Sequence, residues 1–125
     1  MIIWIASYPK SGNTWIRSFL TAYYFCENGI FDINKLNLIE DYPNKQFFKE
    51  KVKQGEIHKH WETSQKDIRD QKKVKFLKTH NSLITAFGND FTKPEYTLGV
   101  IYVIRDPRNV ITSVKNHNDL DSYDE

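Results

Sequence analysis

Three short, nearly continuous apolar runs constrain this chain more than anything else in it: Ile2 to Ala6, Val74 to Leu77 and Gly99 to Ile104. Runs of that length without polar alternation predict strands covered on both faces, as in a parallel sheet. Helical patterns lie between and after them. Trp15, Ile16, Phe19, Leu20 and Tyr23 share one stripe at i, i+1, i+4, i+5, i+8 spacing, and Asn28-Gly29 supplies a stop. Phe47 to Lys53 and Trp61 to Gln71 are weaker, mostly polar helix candidates. Asp106-Pro107 reads as an N-cap followed by proline at the first helical position, opening a helix to about Lys115. The order predicts an α/β domain with a mostly parallel sheet.

A length of 125 residues permits one domain, here 1–125. Apolar content of 39%, with 14% aromatic, is enough for a core and excludes wholesale disorder. The single Cys26 excludes a disulfide scaffold and a cysteine-based zinc site, and fits a reducing compartment. Met1 runs directly into apolar residues with no basic leader, and no apolar run approaches the ~20 residues that span a bilayer. No targeting segment and no membrane partner are expected, and the default address is cytoplasmic. Residues 1–118 hold all 18 Lys and Arg against 12 of the 16 Asp and Glu, a balance of +6. The remaining acids, Asp119, Asp121, Asp124 and Glu125, crowd the end. Such a body suits an anionic ligand, although a solvated mixed surface explains the same count. The basic residues are scattered without aromatic interleaving, which argues against a nucleic-acid partner.

Polar, chemically capable residues follow each apolar run: Ser7 to Thr14, Thr79-His80, and Arg105-Asp106. Ligands of open α/β sheets bind at the carboxyl ends of strands, so three strand ends are expected to converge on one crevice. In the first of them, Gly12 permits a sharp turn and close backbone approach. The amides of Gly12, Asn13, Thr14 and Trp15 open a helix and form a ready anion site. Lys10 adds a charge, and Ser11 and Thr14 add hydroxyls. The alternative is an ordinary turn capped by Ser or Asn. The Walker pattern is absent, since the lysine precedes the glycine by two positions.

Tyr8-Pro9-Lys10-Ser11-Gly12-Asn13-Thr14-Trp15 resembles the 5′-phosphosulfate loop of sulfotransferases that use 3′-phosphoadenosine 5′-phosphosulfate. Phe76-Leu77-Lys78-Thr79-His80 resembles the strand end that carries their catalytic histidine. Tyr102 to Ser113 resembles their 3′-phosphate segment, with Arg at the strand end and Ser eight residues later. The three motifs stand in the family's order across residues 8–113. The resemblance implies a P-loop-like three-layer sandwich, and sulfuryl transfer from that donor to a hydroxyl or amine of an acceptor, without a metal.

Lys10, with the helix-end amides, would then neutralise the leaving phosphate, a task of positioning and charge stabilisation. His80 would be the general base, for which an imidazole is suited near pH 7. Against this stands the reading of His80 as a plain surface or core histidine. Lys78 lies on the same face of the extended chain as His80, and either assists in the crevice or is a solvated strand-end lysine. Arg105 can grip the 3′-phosphate bidentately. Ser113 is implied by the resemblance alone. Asp106 is better read as a helix cap than as a metal ligand.

Other candidates are weaker. His58-x-His60 lacks a convincing third ligand and fits a solvated segment better. Cys26 reads as a small core residue rather than a nucleophile. Trp4 and the Phe and Tyr residues are expected mostly in the core, although Tyr8, Phe25 or Phe87 could line an acceptor pocket. The family pattern continues with a segment of the R-K-G-x-x-G-x-W type that this sequence lacks. The expectation is therefore the N-terminal part of the fold, with a half-enclosed donor site and little turnover. Two rivals remain: a small-molecule kinase of the P-loop type, and a non-catalytic nucleotide-binding fragment. Against the kinase stand the missing G-K-[ST] and the lack of an acid placed for Mg²⁺.

Overall fold

The computed structural model describes residues 1–48, 52–120 and 122. Asp121, Asp124 and Glu125 of the acidic run lie outside the described residues, as do residues 49–51 of the Phe47–Lys53 helix candidate. Ahead of that gap Lys45–Phe47 is a single 3-10 turn and Phe48 is extended.

Strand β1 (Ile2–Ser7) leads into helix α1 (Asn13–Phe25). An irregular stretch of 3-10 turns follows, interrupted by the two-residue strand β2 (Glu40–Asp41). Helix α2 (Trp61–Asp70) precedes β3 (Lys75–Thr79). A small antiparallel hairpin, β4 (Thr85–Ala86) with β5 (Asn89–Asp90), leads to β6 (Thr97–Val103) and helix α3 (Pro107–His117). The main sheet has the order β2-β3-β1-β6, and every pairing in it is parallel. This is the α/β layout that the apolar runs predict. The short strands β2, β4 and β5 carry no such signal.

Trp4 and Leu77 face each other in register on one side of the sheet. They form a core with Ile2, Tyr42, Trp61, Ile68, Phe91 and Tyr96, closed by α2. Gln65, fully buried on α2, donates to the Phe91 carbonyl at 2.6 Å and accepts from Thr92 Oγ1 at 2.6 Å. Burying this amide is tolerable because its partners replace water. Phe76 projects to the opposite side by strand alternation and meets Tyr24 of α1, with ring centroids 5.1 Å apart. Helix α1 therefore covers that second face.

Two expectations need correction. The buried residues of α1 are Asn13, Arg17 and Thr21, whereas Trp15, Phe19 and Tyr23 of the aromatic stripe are 62–78% exposed. The polar and aromatic stripes have the same spacing, and the buried Arg17 guanidinium decides which faces inward. Its Nη2 donates to the carbonyls of Leu36 at 3.1 Å and Ile39 at 2.7 Å. Strand β6 is also not covered on both faces: Leu98, Val100 and Tyr102 alternate outward and are exposed. Among the described residues no helix is long and apolar enough to cross a membrane.

Candidate active site

After β1 the chain turns tightly. The Ser11 amide donates to the Tyr8 carbonyl at 3.3 Å. Lys10 has φ 64° and Gly12 φ 103°, the latter in the region that favours glycine. Gly12 is the N-cap of α1, and among the described residues no side chain caps this helix end. The capped-turn alternative is therefore not what forms. The first-turn amides have no acceptor within the helix and carry the positive end of its dipole. Ser11 is buried, while Thr14 and Trp15 are exposed. The Asn13 side chain turns inward, where Nδ2 donates to the Ile5 carbonyl and to Ser7 Oγ, each at 3.1 Å.

The ends of the other two long strands reach this same segment. His80 follows β3 directly and is exposed, with Nδ1 2.7 Å from the Ser7 carbonyl and 3.3 Å from Ser7 Oγ. Arg105 follows β6, and its Nη1 donates to the Lys10 carbonyl at 3.1 Å. His80 and Arg105 are thus fastened to opposite ends of one short segment, Ser7 to Lys10. Among the described residues no carboxylate pairs with the Lys10 ammonium.

Lys78 behaves differently. Its Nζ lies 3.0 Å from Asp41 Oδ1, directed at β2, on the side of β3 away from β1. Asp41 Oδ1 also lies 3.9 Å from Arg17 Nη1. Burial lowers the Arg17 pKa, and the Asp41 charge opposes that shift. Ser113 sits two turns along α3, half-buried. Asp106 caps α3 as the sequence predicts, accepting from the Arg108 amide at 2.9 Å. The Arg108 guanidinium beside it holds its carboxyl below the ordinary range.

The ring of His58 packs against Phe87 at 5.0 Å, and that of His60 lies 6.0 Å from Phe48. Among the described residues no group of three or more His, Cys, Asp or Glu could hold a metal ion. Cys26 is a half-buried free thiol. Tyr8 and Phe87 are exposed, and Phe25 is half-buried.

Two cavities flank the strand ends. One, of about 310 Å³, lies beside Tyr8, Ser11 and Arg105. The other, of about 330 Å³, lies beside Thr79 and Asn81, with Trp4, Phe91 and Leu83 in its wall. Tyr102 borders both. Sequence reasoning did not reach Arg17, Asp41 or the part played by Ser7. The only available signal was the second, polar stripe on α1.

A family model described as sulfotransferase domain matches residues 2–123. Neither the curated proteins nor the solved structures yielded a match.

Proposed function

Because this chain belongs to the sulfotransferase domain family, a family of sulfuryl-transferring enzymes, we propose that its donor is 3′-phosphoadenosine 5′-phosphosulfate and its acceptor a hydroxyl or amine. The observation that carries the reading is the fastening of His80 and Arg105 to the two ends of the Ser7–Lys10 segment. That arrangement supports reading His80 as a base and Arg105 as a phosphate-gripping cation on either side of one turn suited to an anion. The uncapped N-terminus of α1 supports the same donor, since its free amides suit the 5′-phosphate.

In this reading the acceptor oxygen or nitrogen attacks sulfur, and the bond from sulfur to the bridging phosphate oxygen breaks. The acceptor proton passes to Nε2 of His80, and adenosine 3′,5′-bisphosphate leaves. Lys10, Ser11 and the amides of Gly12, Asn13, Thr14 and Trp15 stabilise the charge that builds on the leaving phosphate. Arg105, assisted by Ser113, takes the 3′-phosphate. Lys78 assists in neutralising charge on the sulfuryl oxygens once its pairing with Asp41 is exchanged for them. The mostly apolar cavity beside Thr79 and Asn81 suits the body of the acceptor. The lone free thiol of Cys26 supports a cytoplasmic setting.

Calorimetric titration tests the donor assignment. Adenosine 3′,5′-bisphosphate should bind, and Lys10→Ala should weaken it by roughly 1.5–3 kcal/mol, the worth of a charge-assisted contact. Tighter binding of ATP with Mg²⁺ than of the bisphosphate, or an unchanged affinity in Lys10→Ala, would overturn it.

A further inference from the structure

We infer that Asn13 is a positioning residue for His80: its side chain sets the end of β1 so that the imidazole is held as the Nδ1–H tautomer with Nε2 free. The inference rests on the reading of His80 as the base and adds a residue that acts through it.

The tautomer follows from the partner. A carbonyl oxygen can only accept, so the 2.7 Å contact between His80 Nδ1 and the Ser7 carbonyl requires the proton on Nδ1. Ser7 Oγ, 3.3 Å from the same nitrogen, is then a second and weaker acceptor. In the neutral ring the other nitrogen keeps its lone pair, which is what a base needs.

Ser7 can hold the ring only if its own position is fixed. Asn13 fixes it. The carboxamide is buried, with the residue 5% exposed, and its Nδ2 bridges the Ile5 carbonyl and Ser7 Oγ. The orientation of the amide is set by Ile5, because the flipped form would put two acceptor oxygens together. Ser7 Oγ has lone pairs for both Asn13 and His80. The opposite end of the amide, Oδ1, is buried with no hydrogen-bond partner among the described residues. An orphaned acceptor destabilises the fold, so the arrangement favours the Nδ2 contacts at the expense of Oδ1. Asn13 is also the first residue of α1. Its backbone amide belongs to the anion-binding turn while its side chain belongs to the seat of the base.

Long-range ¹H–¹⁵N correlation spectra of the labelled chain read the tautomer directly, without turnover. His80→Gln identifies the His80 signals, and those of His58 and His60 report that the fold is retained. Wild-type His80 should be a single Nδ1–H tautomer at neutral charge. Asn13→Ala should lose that single-tautomer pattern and mix in the Nε2–H form. Asn13→Thr, which keeps one donor, should lose it in part, and serves where Asn13→Ala does not fold. An Nε2–H tautomer in the wild type overturns the inference, as does an unaltered Nδ1–H pattern in a folded Asn13 variant. Normal turnover of His80→Ala would remove the base assignment instead, and would leave these spectra as they are.

Discussion

Arg105 Nη1 and the carbonyl of Lys10, 95 residues apart in the chain, are joined by a 3.1 Å hydrogen bond. The bond holds the strained backbone of Lys10, whose φ of 64° is uncommon for a residue with a side chain. It occupies one of the five guanidinium N–H groups and leaves the others for an anion. The cation is thereby oriented before a ligand arrives, which lowers the entropy lost on binding.

Arg105→Ala should weaken adenosine 3′,5′-bisphosphate by roughly 1.5–3 kcal/mol. Adenosine 5′-phosphate should lose far less, because the proposed contact is to the 3′-group. Calorimetry on both ligands checks this, and equal losses would contradict it.

His80→Ala should lose roughly 10²–10⁴ in turnover while keeping its donor affinity. A base acts in the transition state and adds little to ground-state binding. Rate measurements beside a bisphosphate titration separate the two terms. A parallel drop in affinity would make His80 a binding residue.

Arg17→Met should destabilise the fold by roughly 1.5–3 kcal/mol, read from denaturant midpoints. The change removes the buried guanidinium donor from the carbonyls of Leu36 and Ile39, and leaves Asp41 with Lys78 as its one cation partner among the described residues. A neutral effect would mean that relief of the buried charge offsets the lost bonds.

Tyr42 predicts an alkaline limit to stability. Burial raises its hydroxyl above the ordinary range, outweighing its bonds to Ser64 and Gln65. As pH climbs past ~10 the unfolded chain releases this proton while the folded chain retains it. The unfolded state is then favoured, so stability is present below that pH and is lost above it. Denaturant midpoints should fall above pH ~10 in the wild type and fall less steeply in Tyr42→Phe. Identical slopes would rule out Tyr42 as the cause.

The strands legible in the sequence are those whose own residues demand burial, β1, β3 and most of β6. Strand β2 is two acidic residues, Glu40 and Asp41, and exists only because β3 offers it a ladder, down to the Tyr42 amide on the Lys78 carbonyl at 2.8 Å. No local pattern announces such a strand. Lys10, His80 and Arg105 stand out in the sequence because each lies within four residues of the end of an apolar run, Arg105 directly after its own. The capture of Lys78 by Asp41 does not, since it depends on where an unpatterned insert docks.

Helix α1 carries a consequence for anyone reading this protein through its variants. Asn13, Arg17 and Thr21 lie under it, and Trp15, Phe19 and Tyr23 lie over it. A mutational scan scored on folding alone should therefore invert the usual rule for a helix. Alanine at Trp15, Phe19 or Tyr23 should pass, and alanine at Arg17 should not. An algorithm that weights hydrophobicity would rank these positions in the reverse order, and would place the buried seam of α1 on its outer surface.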